Sequence, residues 1–139
     1  MNDSLPKKVT NAMMQNDAFS KWLGIERVID GKGSSVIRMV VRAEMLNGFD
    51  ILHGGVSFSL ADSALAFAAN SHGMQSVSIE NTIHYHLPVK EGDELIATAQ
   101  EVSKSNKLAV YEVEVINQKN EKVATFKGTV YRTKNEWKV

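Results

Sequence analysis

The stretch Val56-Ser57-Phe58-Ser59-Leu60-Ala61-Asp62-Ser63-Ala64-Leu65-Ala66-Phe67-Ala68-Ala69-Asn70 decides the fold. It holds no proline or glycine and consists largely of good helix formers, so it predicts a helix from Gly55 to about Ser71. Its apolar residues lie on most sides rather than along one stripe, the pattern of a helix wrapped by other structure. The many Ala and Ser side chains are small, which lets a sheet curl closely around such a helix.

Upstream, Ser4 stands as a cap before Pro6, and Val9, Ala12, Met13, Phe19 and Leu23 recur at roughly helical spacing until Gly24. This predicts one short amphipathic N-terminal helix. Ile25 to Ile29, the turn-like Asp30-Gly31-Lys32-Gly33, and Ser35 to Arg42 with Ile37, Met39 and Val41 alternating read as a hairpin. Downstream come four strand-like segments, Val77 to Tyr85, Glu94 to Val102, Leu108 to Asn117 and Lys122 to Arg132, with Pro88 closing off the first. Helix, hairpin, central helix and four strands imply an α+β class, a long helix against a curved antiparallel sheet.

The 139 residues, 43% of them hydrophobic, suffice for one core and make two ordinary domains unexpected, so residues 1–139 are taken as a single domain. Lys plus Arg and Asp plus Glu each number 16, which leaves no long-range field to favour nucleic acid or an anionic membrane. There is no cysteine, hence no disulfide, thiolate metal site or Cys nucleophile. No apolar run has the length of a signal peptide or a membrane span, and a cytoplasmic protein is the expectation.

Chemistry concentrates in Asn47-Gly48-Phe49-Asp50-Ile51-Leu52-His53-Gly54-Gly55, which runs into the central helix. Adjacent glycines at a helix entrance let a ligand approach bare backbone, where unpaired N–H groups and the helix dipole favour an oxyanion or phosphate. The same glycines also fit a simple loop. Asp62 is a carboxylate between Leu60, Ala61, Ala64, Leu65 and Ala66, with no Lys or Arg three or four positions away. A carboxylate there is either used chemically or faces solvent. Gly54 and Asp62 are eight residues apart, about 12 Å along a helix, so one chain cannot bring both to one carbonyl carbon. If both serve one reaction, the site lies between two copies related by a two-fold axis.

Other polar residues carry less. His84 and His86 alternate with Tyr85 and share a strand face, yet lack a third metal ligand nearby, and no metal is expected. His72 closes the central helix, and no chemistry is assigned to it. Lys104 and Lys107 flank the Ser105-Asn106 turn, where they suit either a phosphate or a solvated hairpin tip. There is no Gly-x-Ser-x-Gly elbow, no dinucleotide fingerprint and no phosphate loop.

Met45-Leu46-Asn47-Gly48, His53-Gly54-Gly55 and Ser59-Leu60-Ala61-Asp62, at this spacing, resemble the PaaI-like acyl-CoA thioesterases, the phenylacetate-degradation branch of the hotdog-fold hydrolases. The likeness runs from about Asp17 through Arg132 and includes Pro88, Gly92-Asp93 and Val113-Glu114-Val115. It implies a long central helix wrapped by an antiparallel sheet, dimers joined edge to edge, and a homotetramer built as a dimer of dimers. It implies hydrolysis of acyl-CoA, often aryl-acetyl thioesters such as phenylacetyl- or hydroxyphenylacetyl-CoA, with no metal or redox cofactor.

Carried onto this chain, the resemblance makes Asp62 the catalytic carboxylate and Gly54 the N–H donor to the thioester oxygen, with His53 beside that donor. Asn47 then orients water, and Ser78 helps to hold it. Gly55, Phe58, Tyr85, Lys104 and Lys107 are the further candidates for contact with substrate. Asp62 would take a proton from water or attack directly as a nucleophile, two routes that stay open. A hotdog hydratase or dehydratase acting on an enoyl thioester, with His53 and Asp62 as its pair, and an acyl-CoA binding module without turnover are the alternatives.

Overall fold

In the computed structural model, which describes residues 2–139, one six-stranded antiparallel sheet wraps a single long helix. The elements in chain order are α1 (Leu5–Asn16), α2 (Ala18–Leu23), β1 (Glu26–Gly31), β2 (Ser34–Val40), α3 (Gly54–Asn70), β3 (Met74–Tyr85), β4 (Glu94–Lys104), β5 (Leu108–Ile116) and β6 (Lys122–Glu136). A short 3-10 turn, Ala43–Met45, precedes the loop into α3. The strands lie in the order β1-β2-β4-β5-β6-β3, so β1 and β3 form the two edges.

Alternation along the strands builds the core. Ile37 and Met39 of β2, Leu95, Ala97 and Ala99 of β4, Tyr111, Val113 and Val115 of β5, and Ala124 and Phe126 of β6 are buried on the inner face. They meet Leu60, Ala61, Ala64, Leu65 and Ala68 of α3, each fully buried. Alanines on both helix and sheet let the backbones approach, which is how one helix touches all six strands. Burying this apolar surface is the main stabilising term.

Two local departures from simple periodicity bear on the site. The expected single N-terminal helix is broken at Asp17, whose side chain accepts from Ser20 N at 2.9 Å and from Ser20 Oγ at 2.6 Å and so caps a separate second helix. Capping a new helix start competes with continuing the old one, and here it wins. Ser4 caps α1 and Gly24, at φ 74°, ends α2, both as expected. The second feature is a bulge in β3. Ser78 pairs with Val130 and Glu80 with Thr129, which leaves Ile79 as an extra residue.

The β3 edge exposes apolar side chains at its bulged middle. Val77 and Ile79 are 56% and 59% exposed, and no proline or lysine interrupts the strand. Among the described residues no helix is long and apolar enough to cross a membrane.

Candidate active site

The loop before α3 is folded by Asn47. Its Oδ1 accepts from Phe49 N at 2.8 Å, and its backbone N–H donates to the Ile51 carbonyl at 2.8 Å. This local closure holds Asp50 in the left-handed region at φ 58° and delivers the chain to His53, the N-cap of α3. His53 Nδ1 accepts from Gly55 N at 2.9 Å, so the neutral ring carries its proton on Nε2. The Gly55 N–H is thereby occupied. The Gly54 N–H, at the positive end of a 17-residue helix, has no acceptor among the described residues.

Tyr85 reaches over from the end of β3 and donates from its hydroxyl to the Gly54 carbonyl at 2.7 Å. Asn47, Ile51, Gly54, Ser57, Tyr85 and Leu87 are among the walls of a cavity of about 420 Å³ at this end of α3. Phe58 packs edge-on against the core ring of Phe126 at 5.2 Å between centroids, which fixes its orientation below the helix start.

Asp62 lies two turns further along α3 and is half-buried. Ser78 Oγ donates to its Oδ1 at 3.4 Å, and Asn81 Nδ2 donates to the same oxygen at 3.1 Å. In a regular strand, side chains three residues apart point to opposite faces. The extra residue Ile79 cancels that inversion, so Ser78 and Asn81 both turn toward the helix. Burial pushes the Asp62 carboxyl above its ordinary range, the two donors pull it back, and the nearby negative charge of Asp17 pushes it up further. No Lys, Arg or His pairs with it among the described residues. Asp17 also reaches α3 through Ser20, whose Oγ lies 2.9 Å from Ser63 Oγ.

The structure therefore brings Asn47, His53, Gly54, Gly55 and Tyr85 together at one end of α3 and places Ser78 on Asp62. Within one chain it does not bring the two groups to each other. Lys104 and Lys107 lie at the opposite end of the protomer, beyond the C-terminus of α3. There Lys107 shares a cavity of about 280 Å³ with Asn106, Arg132 and Lys134. The His84 and His86 rings lie side by side, tilted at 34° with centroids 4.6 Å apart, and His86 lies 3.0 Å from Thr125 Oγ1. A larger hollow, about 690 Å³, opens on the outer face of the sheet between Thr82, Thr98, Glu112 and Lys127; His84 and Thr125 line it, whereas Asp62, Gly54, Lys104 and Lys107 do not.

Two residues of the Asp62 surroundings are not among the sequence candidates. Asn81 is a polar side chain in an otherwise apolar inward set with Ile83 and Tyr85, a signal legible in the strand's alternation. Asp17 gives no such signal, since only the break between α1 and α2 brings it near.

Comparison with known proteins places the chain in a family. The Thioesterase superfamily model matches residues 49–124. The chain is 43% identical to the Escherichia coli acyl-coenzyme A thioesterase PaaI over 88% of its own length and 87% of that protein. It is 31% identical to human acyl-coenzyme A thioesterase 13 over 85% of this chain and 86% of that one. The solved structure of the E. coli PaaI protein, from the phenylacetic acid degradation operon, superposes with a TM-score of 0.93 over 95% of this chain and 96% of that chain.

Proposed function

The chain belongs to the thioesterase superfamily and has its hotdog fold, and on that premise we propose that it hydrolyses acyl-CoA thioesters at a site shared by two copies. Asp62 is the catalytic carboxylate and the Gly54 N–H the oxyanion donor. The observation that carries the reading is the state of Asp62. It is half-buried, has no cationic partner among the described residues, and is held by two neutral donors. Pairing with a cation would depress its basicity, whereas neutral donors orient it and leave it able to take a proton.

In this reading Asp62 removes a proton from water as the water oxygen bonds to the thioester carbon. Negative charge moves to the carbonyl oxygen, where a preorganised N–H stabilises the transition state more than the ground state. Collapse re-forms the C=O bond and expels the CoA thiolate, which at neutral pH needs no strong acid behind it. The products are the free acid and CoA. No metal or redox cofactor enters the scheme.

The second copy is required by distance, because Gly54 and Asp62 of one chain are about 12 Å apart along α3. The exposed apolar edge of β3 supports the pairing mode. Joined there by a two-fold axis, two sheets become one, and the partner's α3 runs antiparallel beside this one, bringing each Gly54 toward the opposite Asp62. The same pairing carries the end that bears Lys104, Lys107, Arg132 and Lys134 toward the partner's cavity, as a phosphate-bearing CoA would require. A homotetramer of two such dimers and an aryl-acetyl group, received against Tyr85 and Phe58, complete the proposal. The name and operon of the E. coli relative support that acyl class.

The test is thiol release across a panel of acyl-CoA substrates, phenylacetyl- and hydroxyphenylacetyl-CoA included, beside the molecular mass in solution. Asp62→Asn and Asp62→Ala should abolish release with mass and fold intact. Near wild-type turnover in either variant removes Asp62 from the mechanism. Hydration of enoyl-CoA without thiol release replaces hydrolysis as the activity.

A further inference from the structure

The two donors that grip Asp62 both grip the same oxygen. Ser78 Oγ and Asn81 Nδ2 each point at Oδ1, while Oδ2 has no partner among the described residues. The donors are unequal. Ser78 is exposed beside the bulge and its bond is 3.4 Å long, whereas Asn81 is partly buried and bonds at 3.1 Å.

The seat of Asn81 is built by a missing side chain. A row of paired residues crosses the inner face from Glu101 through Tyr111 and Gly128 to Asn81. At Gly128 any Cβ would collide with Asn81 Oδ1 from one side and with Leu65 Cδ1 of α3 from the other. Glycine thus opens a notch in the sheet that admits the Asn81 amide beneath α3.

Inside that notch Asn81 Oδ1 is sealed from solvent and has no hydrogen-bond partner. Proteins seldom leave a buried amide oxygen unpaired. Turning the amide over would be worse, because Oδ1 would then face the carboxylate, acceptor against acceptor, and the NH2 group would be buried among apolar atoms. Only one orientation is tolerable, and it aims Nδ2 at Asp62.

We propose that Asn81, seated in the notch at Gly128, is the positioning residue that locks Asp62 by its Oδ1 and leaves Oδ2 as the oxygen that meets the attacking water. This rests on Asp62 being the catalytic carboxylate. The groups that face Asp62 are Ser78 and Asn81 from β3 and Asp17 from the cap between α1 and α2. Of these, Asn81 alone has its orientation dictated by a cavity shaped to receive it.

The experiment compares wild type, Asn81→Ala and Gly128→Ala as assembled protein, with Asp62→Asn alongside. Thiol release is followed against pH, and the Asp62 carboxyl carbon is titrated by NMR in the absence of substrate. Asn81→Ala should lower kcat about tenfold or more with KM within about twofold, and should raise both the acid limb of the profile and the Asp62 titration midpoint. Gly128→Ala keeps Asn81 in the chain but fills its seat, and should reproduce both shifts. A loss of kcat that only tracks loss of folded protein, with limb and midpoint unmoved in both variants, overturns the proposal. Should Asn81→Ala fail to fold, Gly128→Ala decides by the same readings. An active Asp62→Asn sinks the parent reading, whereas an inactive Asp62→Asn with an unmoved Asn81→Ala sinks the role of Asn81 alone.

Discussion

The Tyr85 hydroxyl donates to the Gly54 carbonyl at 2.7 Å, tying the end of β3 to the first residue of α3. That contact exists because residue 54 has no side chain. A Cβ there would lie 2.8 Å from the Tyr85 hydroxyl oxygen and 2.9 Å from Cζ. Burial pushes the Tyr85 hydroxyl above its ordinary range, so it stays a protonated donor throughout the working pH range.

Gly54→Ala is therefore expected to displace Tyr85 and tilt the N–H that would meet the thioester oxygen. Losing one oxyanion donor lowers kcat by about 100-fold or more, with a smaller change in KM. Tyr85→Phe keeps the ring and loses only the bond, so its loss of kcat should be far smaller. Steady-state kinetics on the two variants checks the pair. A Gly54→Ala enzyme as fast as wild type would show that the geometry at this helix start is idle.

The raised Asp62 carboxyl makes a linked prediction about pH. Folding disfavours its ionised form, chiefly through burial. Below the ordinary value of 3.8 both folded and unfolded chains hold the proton, and Asp62 costs nothing. As pH rises through the window between that value and the higher folded one, the cost appears, and it is fully present above the folded value. Asp62→Asn should then be more stable than wild type at neutral pH and no different near about pH 3, which denaturant midpoints at the two pH values will show. Asp17→Asn removes the like charge and should move the acid limb of kcat/KM downward.

The sequence discloses the elements better than the site. α3 is legible because its composition admits no other element, and the hairpin and four later strands because alternation and turn residues agree with one another. What pattern cannot show is where it slips by one residue. Counting by twos puts Ser78 and Asn81 on opposite faces of β3, and only the extra Ile79 turns both toward Asp62. Asp17 escapes for a similar reason. The apolar spacing reads straight through from α1 to α2, while a single side-chain cap breaks the helix and swings a carboxylate toward the site. The Gly54 and Asp62 motifs are readable at once, but their separation along α3 is what turns them from a list into a geometry.

His72, given no chemistry in the sequence reading, anchors the far end of α3. Its Nε2 lies 2.7 Å from Glu101 Oε1, and the buried Tyr111 hydroxyl donates to the same oxygen at 2.6 Å. Burial works against the Glu101 carboxylate, yet the bonds from Tyr111 and His72 outweigh it and hold its pKa below the ordinary range. A depressed folded value contributes stability that is present above the unfolded value of 4.5 and is lost as pH falls through the folded one. Tyr111→Phe should cost about 1–3 kcal/mol at neutral pH, a hydrogen bond to a charged group, with the gap to wild type narrowing in acid. Thermal unfolding from neutral pH down into acid checks this, and thiol release by the folded variant should be unchanged.

The shared site makes the last prediction, because two broken chains can hold one whole site between them. Asp62→Ala removes the carboxylate, and Gly54→Val crowds Tyr85 and the N–H donor, so each homodimer has both of its sites damaged. In a mixed dimer one site receives both lesions, and the other pairs the intact Asp62 of one chain with the intact Gly54 of its partner. Random pairing of equal amounts makes half the dimers mixed, so activity should recover to about a quarter of wild type. Co-expressing the variants with different affinity tags and purifying through both removes the unmixed assemblies. Recovery should approach about half if the species isolated are dimers, and about 0.3 if they are tetramers of randomly paired dimers, which still hold some unmixed dimers. Thiol release that stays at the level of the separate variants in doubly purified dimers would mean that each chain carries its own complete site, and the 12 Å estimated along α3 would have to be closed in some other way.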